Sequence, residues 1–65
     1  MTALALAALA YSVAGATKAT SIGETRIKEA ISKGDLVAHY NGNRPVILAA
    51  DLASWIESLP TERAS

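Results

Sequence analysis

The stretch Ala19–Leu36, ATSIGETRIKEAISKGDL, constrains this chain more than any other. It reads as a tight turn, one amphipathic helix and a stop. Ile27, Ala30 and Ile31 fall on one helical stripe, and Thr25, Lys28, Glu29 and Ser32 fall outside it. Gly34 can take the left-handed conformation that closes helices, and Lys33 before it suits the negative end of the helix dipole. Two starts compete. Ser21 with Glu24 fits the S-x-x-E capping box, whereas Gly23 would itself be the cap, with Ile22 packing inward.

A second helical segment precedes this one. Ser12 can cap it by accepting a backbone N–H, and it runs from Val13 to about Lys18. Val13, Ala14 and Ala16 are available for packing. Gly15 inside the segment costs ~1 kcal/mol relative to alanine, which suggests a place where another helix approaches closely. Two short helices joined by a tight turn form a helix-turn-helix unit.

After the stop, Leu36–Tyr40 reads as a strand. Asn41-Gly42-Asn43 is a hairpin signal, and Arg44–Leu48 returns as a second strand. Pro45 lacks an N–H, so an edge position is expected for it. A two-stranded hairpin is not stable alone. It must rest on the helices with its tip projecting, and that makes it a wing. Leu48, Leu52, Trp55, Ile56 and Leu59 then mark a third helix, Ala49–Leu59. Asp51 suits its first turn, no capping side chain stands directly before it, and Pro60 ends it. The expected fold is α+β and mainly helical: three short helices and a two-stranded wing over residues 11–60. An apolar arm (1–10) and a polar tail (61–65) flank it.

Composition limits what such a fold can hold. The chain has 65 residues, enough for one domain. A chain this short buries only about 60% of its unfolded surface. It has no cysteine, so neither disulfides nor thiolate metal sites reinforce it. Fourteen of its apolar residues are alanine, which leaves a single small core. The Ala3–Ala10 run, ALALAALA, has spacings of both strand and helix. It is too short to span a bilayer, and no cation precedes it as in a secretory signal. A cytoplasmic protein with no membrane role is therefore expected.

Net charge is zero, which does not favour a strong nonspecific nucleic-acid binder. The charge is nevertheless uneven. Thr17–Val46 holds five cations (Lys18, Arg26, Lys28, Lys33, Arg44) against three acids, and Ile47 onward holds one cation against three. An anionic partner is thus expected on the middle segment. Catalysis is not expected. The single histidine, His39, has no carboxylate close in sequence, and metal-ligand clusters and Gly-rich phosphate loops are absent. No cofactor is expected either. Trp55, on the apolar stripe of its helix, is expected in the core.

In order and spacing, the stretch from Tyr11 to Pro60 resembles the excisionase family of small winged helix-turn-helix proteins, related in architecture to MerR-type DNA-binding domains. Tyr11, Ser12, Val13 and Ala16 match the family's opening, and Ile22 and Gly23 the entry to its recognition helix. Ile31, Gly34, Asp35 and Leu36 match its helix end. Asp51, Leu52, Trp55 and Ile56 match its closing helix. The resemblance implies sequence-specific binding to double-stranded DNA through the helix beginning near Glu24, with the wing on the backbone or minor groove. It implies a recombination directionality factor that bends attachment-site DNA and helps a phage integrase excise a prophage. Small transcriptional regulators share the fold, and a protein-interaction module is the third reading.

The DNA-contact residues expected from this are Thr25, Arg26, Lys28 and Glu29 on the helix, Lys18 and Lys33 at the two helix ends, and Asn41, Asn43 and Arg44 on the wing. Glu24 departs from the family pattern, where a cation or small polar residue is common, and Lys28 stands where many relatives have an aromatic. With so little excess charge, one copy is expected to bind weakly and several copies to bind together on adjacent sites.

Overall fold

The computed structural model describes residues 8–63. In chain order they form β1 (Ala10–Tyr11), α1 (Val13–Thr20), α2 (Glu24–Lys33), β2 (His39–Asn41), β3 (Arg44–Leu48) and α3 (Ala49–Glu57). Three helices and one antiparallel sheet of order β1-β3-β2 make a small α+β domain consistent with a winged-helix arrangement. Of the expected apolar arm (1–10), residues 1–7 lie outside the described residues, as do residues 64–65 of the expected polar tail.

Helix α1 starts as expected. The Gly15 N–H donates to Ser12 Oγ at 3.0 Å. It ends two residues later than Lys18, because Thr20 Oγ1 donates back to the Ala16 carbonyl (2.7 Å) and accepts from the Ile22 N–H (3.1 Å). Ser21 then closes the helix with φ 65, its N–H bonded to the Thr17 carbonyl. This decides between the two starts of α2. An N-cap residue needs extended backbone, and Ser21 is left-handed. Gly23, at φ −61 and ψ 151, is the cap and makes no side-chain cap bond.

The stop at Gly34 is a Schellman closure. Gly34 has φ 84, its N–H donates to the Ile31 carbonyl, and the Asp35 N–H reaches the Ala30 carbonyl at 2.9 Å. The Leu36 N–H also donates to the Ala30 carbonyl, and its side chain is buried. Leu36 therefore completes the cap, and the strand expected from Leu36 starts at His39 instead.

The hairpin forms with Gly42-Asn43 as a two-residue loop. Gly42 has φ 66 and Asn43 is not among the positive-φ residues, which is the φ pattern of a type II′ turn. The expected two-stranded wing gains a third strand. Ala10 pairs with Leu48 and Tyr11 with Ile47, so Ala10 belongs to the sheet and β3 lies in the middle of it. Pro45 is tolerated there for a local reason. The Asn41↔Arg44 pair flanks the loop and exchanges both bonds, so the next pair, Tyr40↔Pro45, exchanges none. The Pro45 nitrogen faces the other side, where β1 reaches only as far as Ile47.

The same strand caps α3. Leu48 is its N-cap and offers no side-chain bond. The first helical N–H, that of Ala49, donates instead to the Leu9 carbonyl at 2.9 Å. The helix stops at Glu57, short of Leu59, because a residue before proline is disfavoured in helical conformation. Ser58 closes it, with its hydroxyl on the Trp55 carbonyl at 2.6 Å.

The core consists of Val13, Ala16, Ile27, Ala30, Leu36, Ile47, Leu52 and Trp55. It ties all three helices to the sheet. Ile27 and Ile47 are fully buried, and each such side chain contributes ~1.5–3 kcal/mol relative to exposure. Ala14 and Ile56 are exposed, so the apolar stripes of α1 and α3 are narrower than their sequences suggest. Gly15 does not admit another helix. A Cβ there would meet Ser12 Oγ at 3.2 Å and the Tyr11 ring at 3.6 Å, so its smallness serves its own cap.

Candidate nucleic-acid interface

Helix α2 buries Ile27 and Ala30 and half-buries Ile31, leaving the rest of its circumference exposed. Successive residues are about 100° apart around a helix, so Thr25, Glu29 and Ser32 lie opposite the buried stripe. Arg26 and Lys33 fall on one flank of that outward line, and Glu24 and Lys28 on the other. The cations are thus divided between two flanks, and an acid, Glu29, sits between them.

The flanks differ. Lys28 Nζ lies 3.6 Å from Glu24 Oε2, an i,i+4 pair with side chains 65% and 54% exposed. Pairs so exposed contribute little to stability. The contact does offset part of the Lys28 charge. The opposite flank borders a cleft of about 190 Å³ against the end of α3, where Arg26 and Lys33 stand beside Trp55 and Leu59.

The wing supplies a second exposed group. Asn41, Asn43 and Arg44 are all exposed around the Gly42 turn, with Arg44 directly across from Asn41. Lys18 is exposed in the last turn of α1, one turn before the Ser21–Gly23 connection. All nine residues expected at a DNA contact are therefore accessible, on two neighbouring elements of the helix-turn-helix and on the hairpin. They do not form one continuous basic patch.

Two features had no local signal in the sequence. His39 Nε2 meets Asp51 Oδ2 at 4.0 Å, twelve residues away, joining the wing to the first turn of α3. The pair is ionic only when His39 is protonated. The cleft also includes Asp35, which sequence reading treated only as part of the helix stop. The i, i+7 spacing of Arg26 and Lys33 places them on one flank with Glu29 at its outer edge, but nothing in that spacing puts them beside Trp55.

Among the described residues no three His, Cys, Asp or Glu side chains gather as a metal site would require. No helix there is long and apolar enough to cross a membrane. No family model, curated protein or solved structure matches this chain.

Proposed function

We propose that this chain is a sequence-specific, DNA-binding architectural protein of the excisionase type. In this reading it binds and bends attachment-site DNA so that a phage integrase acts in the direction of prophage excision. The observation that carries the reading is the joint exposure of the polar face of α2 and the Asn41–Arg44 turn on a winged helix-turn-helix frame.

In this reading α2 enters the major groove. Arg26 reads a guanine edge from one flank, Thr25 meets a phosphate or a thymine methyl, and Glu29 accepts from a cytosine amine. Lys18, Lys28 and Lys33 neutralise phosphates. Asn41, Asn43 and Arg44 follow the adjacent backbone or minor groove. One module of this kind covers only ~600–1,000 Å² of its own surface on DNA. With two acids on the same helix face, a single copy binds weakly, and useful occupancy comes from several copies on neighbouring sites or from the integrase.

The test is an excision reaction with integrase and prophage-junction DNA, run with and without the protein. The reading expects excision to depend on the protein and integration to be unaffected or suppressed. Excision that proceeds equally without it overturns the directional role. A transcriptional regulator on the same frame would instead bind an operator and leave excision unchanged.

A further inference from the structure

We propose that the cleft between α2 and α3 is a self-association surface, at which a second copy of this chain docks across a two-fold axis. The exposed rim of the cleft is formed by Arg26, Glu29, Lys33 and Asp35. Its floor is Ala30, Trp55 and Leu59, two buried residues and one half-buried. Along the rim the charges alternate: plus, minus, plus, minus. Read backwards, that order becomes minus, plus, minus, plus. An antiparallel copy therefore opposes every charge with its complement, which is the self-complementarity a two-fold interface demands.

The register is consistent as well. Glu29 facing the second copy's Lys33 puts the axis level with Ile31 on α2, and Asp35, just past the Gly34 stop, is left to face the second copy's Arg26. Ala30 sits where the helices would approach most closely, and a small residue there permits it. Each copy's α2 would lie along the other copy's α2–α3 cleft. The rim charges are free for such pairing. Although Glu29 and Lys33 are four residues apart, neither they nor Arg26 and Asp35 form an ion pair within the described residues. A chain of zero net charge has no overall repulsion to overcome on pairing. Because the pairing covers Arg26 and Lys33, it belongs to the DNA-free protein, and it does not rest on the DNA-binding reading.

Sedimentation of the full chain without DNA, at low and high salt, tests it. The expected result is a concentration-dependent dimer at low salt that weakens near 1 M, where screening acts within about 3 Å. Glu29→Lys puts like charges together twice per dimer, and so does Lys33→Glu. Each should raise the dissociation constant by about ten-fold or more. The double variant Glu29→Lys/Lys33→Glu reverses both charges and should restore association to within about three-fold of the parent chain. Both positions are exposed, and circular dichroism checks that each variant is folded; should one single variant not fold, the reciprocal one carries the comparison. A chain that stays monomeric at millimolar concentration and low salt overturns the proposal. So does a dimer indifferent to the single changes, or one that the double change does not restore.

Discussion

Thr17 Oγ1 is buried and has no hydrogen-bond partner among the described residues. A hydroxyl left in that state loses its bonds to water without replacement, at a cost of ~1–3 kcal/mol. Thr17→Val keeps the shape and the β-branching while removing the hydroxyl. It is expected to raise stability by about 1 kcal/mol, a rise in Tm of roughly 4–8 °C for a domain of this size. Thermal unfolding followed through the single buried tryptophan, Trp55, provides the check. Glu24 is the second informative side chain. It suits the positive end of α2 and pairs with Lys28, yet it sets a negative charge where DNA phosphates would approach. Glu24→Gln is expected to strengthen binding to duplex DNA by about three- to ten-fold while lowering stability by a few tenths to 1 kcal/mol. Fluorescence anisotropy and a denaturant melt measure the two effects. Ser21 illustrates where residue-level reading stops. Its capping box with Glu24 was legible, but the three-residue turn needed Ser21 to close α1, so it was not free to open α2.

The elements with strong local periodicity are legible in kind from the sequence. Helix α2 has its apolar stripe and glycine stop, and α3 has its buried Trp55. The glycine turn produced the hairpin. What could not be read was β1. Two residues carry no period, and their role comes from contact with Leu48 and Ile47, far along the chain. The uncapped start of α3 was visible in the sequence, but the carbonyl that satisfies it, from Leu9, was not. The candidate site divides in the same way. The exposure of the expected residues on α2 and the split of its cations into two flanks both follow from helical spacing around the Ile27, Ala30 and Ile31 stripe, whereas the cleft beside Trp55 depends on how α3 packs near α2. The two elements proposed to meet DNA can be separated by mutation, because Arg26 lies on α2 and Arg44 on the wing. Arg26→Ala should lower affinity for a preferred sequence by about 1–3 kcal/mol and relax specificity, with the fold unchanged. Arg44→Ala should weaken all sequences alike and reduce the salt slope by about one. Titrations of preferred and scrambled duplexes at several salt concentrations distinguish these outcomes.

The domain as a unit is limited by its small core and balanced charge. Eight buried residues hold three helices and a sheet together, and five cations over Thr17–Val46 are answered by three acids on the same segment. These two facts favour association over solitary action. On DNA, affinity per site should be higher on a duplex with several adjacent sites than on one with a single site. Equal affinity per site, measured by titrating both duplexes, would remove the argument for joint binding.

The claim on which the functional reading depends is that α2 and the wing meet DNA. Its most direct measurement is an NMR titration of the isotope-labelled chain with a short duplex at low salt. The account predicts shifts concentrated at Thr25, Arg26, Lys28, Glu29 and the Asn41–Arg44 turn, with β1 and the start of α3, away from the cleft, little changed. Shifts confined to α3 and β1, or none at all, would contradict it.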